Sequence, residues 1–212
     1  MSPNKARSLL ILLIMPAVVV IGFAVAFAVT YLRPSLLLAG IIVACCAFIV
    51  ALVGVYQSMG RRWPLWLVAP AVAIAGIGTI MLAEDLALSK VGELTEVVVV
   101  SHDVEQETVH DSDNTGGREV YTHEYTLEKT DGTPVDQPMT YRGKDGFDDI
   151  DEGDTITVMI DPAGKVPTEP ADEVDVPADI GILVVGTVLT IGAFGVCTLV
   201  VALRPRGPQR VR

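Results

Sequence analysis

The sequence predicts a membrane α-helical fold: four transmembrane helices with a small all-β extracytoplasmic domain inserted before the last. Three observations predict it. Half of the 212 residues are hydrophobic and the mean hydropathy is +0.49, more apolar than ordinary soluble domains. Four stretches of more than 20 residues carry no charge. All 26 Asp and Glu residues fall between Glu84 and Asp179 with only six Lys or Arg, a net charge of −20 for that stretch. So sharp a mosaic suits a membrane protein with one aqueous domain.

The apolar runs take residues 8–32, 35–56, 63–83 and 180–203. At about 1.5 Å of rise per residue, ~20 residues cross a hydrocarbon core ~30 Å thick. Backbone in lipid has to satisfy its own hydrogen bonds, so each run is expected to be helical. Pro16, Pro64 and Pro70 mark points where a helix bends or starts. Two stripes of small residues, Gly22, Ala26 and Thr30, and Ala71, Ala75 and Thr79, suit close helix packing. The first run has a basic start and an "AFA" at 26–28 that mimics a signal cleavage site, but its apolar stretch continues through Leu32, so an uncleaved helix is expected. No run holds a charged residue, which argues against substrate or proton transport through the bundle.

Positive charges set the expected orientation. Lys5 and Arg7 precede the first run, Arg61 and Arg62 separate the second from the third, and Arg204, Arg206, Arg210 and Arg212 form a basic tail, 204–212, after the fourth. Only Arg33, in the tight "YLRPS" link between the first and second runs, lies on the other side. By the positive-inside pattern both termini are cytoplasmic and residues 84–179 are extracytoplasmic in a multi-pass cell-membrane protein. Tyr56, Trp63 and Trp66 fit an interfacial belt.

The exterior segment, about 95 residues, is long enough for one small core. "LTEVVVV", from Leu94, is rich in β-branched residues. "REVYTHEYTLEK", 118–129, alternates and places Tyr121, His123, Tyr125 and Leu127 on one face. "TDGT", 130–133, signals a turn, and "QPMTYRG" a further strand. "GDTITVMIDPAGKV", 153–166, is a strand with Ile156, Val158 and Ile160 inward, followed by a "DPAG" turn. "EDLALSKVGEL" prolongs the third helix, and the acidic, Pro-rich "KVPTEPADEVDVPAD" is expected to be an extended linker into the fourth. Cys45, Cys46 and Cys197 all lie in apolar runs, which excludes a disulfide-stapled exterior domain.

A β-branched strand, a polar loop, a Y-x-x-x-Y strand, a "DG" turn and then "GDTITVMIDP" resemble a bacterial membrane-protein family catalogued as domain of unknown function 3592. The likeness covers residues 92–170, and its most specific piece is G-D-x-I-x-V-x-x-D-P, Gly153 to Pro162. The resemblance implies a small β domain held at the membrane by flanking helices, and it brings no catalytic residues. Ile160 stands where relatives carry an aromatic, and the 105–117 loop is longer and more acidic.

Each chemical motif has a competing plain reading. Asp111 and Asp113 in "DSDNTGG" mimic the start of an EF-hand loop, but Thr122 stands where the bidentate Glu is needed and no helices flank it, so a solvated hairpin loop is expected. Asp145, Asp148, Asp149 and Asp151 are weak candidates for Ca²⁺ or Mg²⁺, against the reading of a solvated acidic loop. Ser101, His102 and Asp103 are adjacent on a strand and so point to alternate faces, which rules out a triad among themselves. His102, His110 and His123 make a weak zinc candidate, with plain packing or surface roles preferred. No G-x-S-x-G elbow is present. The expected function is a non-enzymatic envelope interaction or scaffolding module, with a cation-responsive sensor or an accessory subunit of a membrane enzyme as alternatives. The lipid bilayer and other envelope proteins are the expected partners. No nucleic acid, cofactor or catalytic residue is expected, and the oligomeric state is left open.

Overall fold

The computed structural model describes residues 3–110, 117–147 and 150–203. Two compact units divide the chain: residues 1–86 with 176–212, and residues 87–175. The helices are α1 (Pro3–Leu32), α2 (Leu37–Met59, entered through a 3₁₀ turn Pro34–Leu36), α3 (Trp63–Val91) and α4 (Val176–Leu203). All four are long and apolar enough to cross a membrane. Three begin or end several residues beyond the uncharged runs, because polar residues such as Asp85 and Lys90 continue a helix once its hydrogen-bond ladder has started.

Small side chains bring the helices together. Gly22 lies against Ala47, and Gly40 lies beneath the fully buried Thr30, so α1 and α2 pack at both ends of that stripe. Ala71, Ala75 and Thr79 are buried on α3, where a Cβ on Gly186 of α4 would meet the backbone of Ala75. The hydroxyls of Ser58, Thr79 and Thr198 donate to carbonyls four residues back at 2.7–2.8 Å, which satisfies them within their own helices. The outward faces carry Leu10, Leu13, Val20, Ile21, Leu38, Val188 and Ile191, all largely exposed. An apolar surface this broad is stable against lipid and a liability in water. α2 stops at Gly60, whose φ of 61° supplies the left-handed residue that ends a helix.

The second unit is a five-stranded antiparallel sheet of order β3-β2-β1-β4-β5. Its strands are β1 (Glu93–His110), β2 (Gly117–Lys129), β3 (Met139–Arg142), β4 (Thr155–Ile160) and β5 (Glu169–Pro170). One face buries Val97, Val99, Tyr125, Leu127, Met139 and Val158, with Val135, Phe147 and Ile150 packed over them. Val158 is fully buried, with Ile156 and Ile160 packed against the same core, while Thr155 and Thr157 are exposed: the alternation expected of "TITVMI". The "TDGT" turn forms with Gly132 at φ 84°.

Two expectations need correction. β1 is 18 residues long, more than twice the β-branched run that announced it. The Pro-rich tail is no free linker over its first part: Val166, Thr168 and Pro170 are buried, β5 pairs along β4, and Ala171 N–H donates to Thr157 C=O at 3.0 Å. Their spacing of two is a strand pattern, and an edge strand tolerates a proline because its outer side needs no donor. Asp161 fixes the turn that returns the chain. Its carboxylate accepts from the N–H groups of Ala163 (2.9 Å), Lys165 (2.9 Å) and Val166 (3.2 Å).

Candidate functional site

A β-bulge decides what the sheet presents. β1 and β2 pair Val99 with Leu127 and then Ser101 with Thr126, leaving Val100 as an extra residue. Up to Val99 the odd-numbered residues face the core; beyond the bulge the even-numbered ones do. His102 is thereby turned to the core side, and Ser101 and Asp103 to the opposite face. The adjacent Ser, His and Asp are thus separated, as strand geometry requires.

On the core side His102 meets His123. Nε2 of His102 and Nδ1 of His123 are 2.9 Å apart, one donating and the other accepting. His102 stacks on Tyr125 with ring centroids 4.2 Å apart and planes 8° from parallel. Tyr141 meets His123 edge-on, and Phe147 tilts against both Tyr125 and Tyr141. The Phe147 N–H donates to the Tyr125 hydroxyl at 3.2 Å. Gly146, at φ 75°, lets the backbone come this close, since a Cβ there would lie 2.6 Å from that hydroxyl. His123 is buried, and its Nε2 has no hydrogen-bond partner among the described residues. This cluster is a packing core with a polar pair inside it.

The cation candidates are placed as follows. Asp111, Asp113, Asp148 and Asp149 lie outside the described residues. Asp145 and Asp151 are exposed. Asp151 N–H donates to the Asp154 carboxylate at 2.8 Å, and Asp154 N–H to the Asp151 carbonyl at 3.1 Å, so these two residues close the loop before β4. Among the described residues no three His, Cys, Asp or Glu side chains converge on a metal position. His102 and His123 are brought together; for His110, the last residue of β1, the side chain is outside the description.

The outward sheet face and the free edge of β1 went unseen in the sequence. β4 pairs with β1 only from Glu93 to Val98, and Gly153 and Asp154 complete this side with bonds of 2.8 and 2.9 Å to Val99. From Val100 onward, among the described residues, β1 pairs with β2 alone. Asp103, Glu105 and Glu107 share the outward face of this segment, and Asp103 stands directly opposite Glu124 of β2. Their spacing of two groups them on one face; the bulge decides that this face is the outward one, and one valine among four gave no sign of it. At the far end of β2 a cleft of about 550 Å³ is lined by charges of both signs, including Glu107, Arg118, Arg142 and Lys144. Beside it the Tyr121 hydroxyl donates to Glu119 at 2.7 Å, and this bond holds the phenol above its ordinary pKa.

A scan against family models and searches of curated proteins and of solved structures match nothing in this chain.

Proposed function

We propose that this chain is a multi-pass protein of a bacterial cell membrane, of the kind its 153–162 pattern resembles, and that residues 84–179 form a non-enzymatic interaction module on the outer face. Four helices of membrane-crossing length support the anchoring. The Lys5, Arg7, Arg61 and Arg62 charges, set against the acids of residues 84–179, support the orientation. One observation carries the module reading: β1 continues past the end of β4 with its backbone edge unpaired by any of the described residues. An open strand edge is a template for pairing with another chain, and proteins usually cover or shorten it. Here it is long.

Photo-crosslinking in living cells tests this reading. A photoreactive amino acid in place of Glu105 is expected to give a discrete adduct with another protein. No adduct from Glu105, and none from the exposed Asp131 or Glu173, would overturn the reading.

A further inference from the structure

We infer that the open edge of β1 between Val100 and Thr108 accepts an extended cationic segment of a partner protein as an added β-strand. The inference rests on the reading of the domain as an interaction module and names the chemistry of the partner.

The backbone offers the first half of the argument. Nine residues at about 3.3 Å each give an edge of ~30 Å, long enough for a stretch of peptide to pair along it. The N–H and C=O groups on that side pair with nothing among the described residues. No proline or lysine interrupts the segment.

Charge offers the second half. Asp103, Glu105 and Glu107 recur at every second residue, so all three lie on one face. Asp103 and Glu124 are cross-strand neighbours of like sign, an arrangement that destabilises a sheet. None of these four carboxylates has an ion pair among the described residues. A second copy of this chain is a poor occupant. In an antiparallel pair of two such edges centred on Glu105, Glu105 would oppose Glu105 and Asp103 would oppose Glu107. A strand with Lys or Arg at alternate positions reverses each of these contacts from repulsion to attraction, and it also relieves the Asp103–Glu124 pair. The same acids therefore reject self-pairing and select a basic partner. On the other face Val104, paired with His123, is 51% exposed, so uncharged residues between the basic ones would cover it.

The test uses the full chain in nanodiscs of zwitterionic lipid, so that a basic peptide has no anionic bilayer to bind. The probes are an alternating Lys/Thr nonapeptide, its Glu/Thr counterpart, and a Lys/Thr version N-methylated at alternate amides. The Lys/Thr peptide should bind and slow amide exchange in residues 101–108. The N-methylated and Glu/Thr peptides should not. The triple variant Asp103→Asn, Glu105→Gln, Glu107→Gln should bind the Lys/Thr peptide about tenfold more weakly, the sum of three modest exposed pairs. Equal binding of the N-methylated peptide would reduce the effect to general charge attraction and overturn the inference. Protection at Gly117–Val120 or along β3 instead, a nanodisc dimer formed through this edge, or no binding at all would overturn it too. If the peptides fail while the Glu105 photo-crosslink still captures a protein, the module reading stands and the basic-strand inference falls; if both fail, both fall.

Discussion

His102 and His123 face each other across the β1–β2 hairpin with 2.9 Å between Nε2 and Nδ1, and this is the one hydrogen bond that His123 makes through its side chain among the described residues. The prediction is asymmetric. His102→Phe keeps a ring on Tyr125 but strands a second nitrogen of a buried residue, which should cost about 1–3 kcal/mol. The double variant His102→Phe, His123→Phe removes both polar partners and should recover part of that loss. Urea titration followed by near-ultraviolet circular dichroism checks this. A double variant less stable than His102→Phe alone would contradict it.

Asp161 makes acid stability readable. Burial works against its charge, but the N–H groups of Ala163, Lys165 and Val166, helped by the nearby Lys165 ammonium, outweigh it and hold the carboxylate below its ordinary 3.8. A lowered folded-state pKa means stability that is present above the ordinary value and is lost as pH falls through the folded one. The turn into β5 should therefore hold at pH 5 and loosen below about pH 4. The methyl NMR signals of Val166 report it. Asp161→Asn should weaken the turn at neutral pH and flatten this acid dependence; an unchanged acid profile in that variant would place the dependence elsewhere.

The core strand gives a sharper contrast. Val158 is fully buried and its neighbour Thr157 is exposed on the opposite face. Val158→Asp should unfold the sheet, because an unpaired buried carboxylate costs several kcal/mol, on the order of a small domain's whole stability. Thr157→Asp should shift the urea midpoint only slightly. Equal tolerance would mean that β4 is misassigned.

Helix packing is tested at two glycines of α4. A Cβ at Gly186 would lie 2.6 Å from the Ala75 Cα, whereas nothing lies within 4 Å of one at Gly192. Gly186→Val should lower the thermal stability of the detergent-solubilised protein by several degrees, and Gly192→Val should leave it near that of the parent. Backbone contact cannot yield as a side-chain tip can, and overpacking costs about 1–3 kcal/mol.

The legible parts of this fold are those with a strong period or a long uniform run. The four helices follow from uncharged stretches. β2 follows from the alternation of Tyr121, His123, Tyr125 and Leu127, and β4 from Ile156, Val158 and Ile160. What stayed hidden depends on single residues acting through tertiary context. Val100 carries no mark that distinguishes it from Val97, Val98 or Val99, yet as the bulge it decides which face His102 and Asp103 occupy. The prolines of "KVPTEP" outweighed the spacing of Val166, Thr168 and Pro170 because the turn held by Asp161 joins residues that look like punctuation. The free edge of β1 is legible only once β4 is seen to end its pairing at Val98.

The proposed orientation puts the sheet outside a membrane whose inner face meets the α2–α3 link. Single cysteines in a background of Cys45→Ala, Cys46→Ala and Cys197→Ala test it, one at Asp131 in the exposed β2–β3 turn and one at Arg61 in the exposed α2–α3 link. With a membrane-impermeant maleimide on intact cells, Asp131→Cys should label and Arg61→Cys should label only after permeabilisation. Labelling of Arg61→Cys on intact cells, with Asp131→Cys protected until lysis, would contradict the claim.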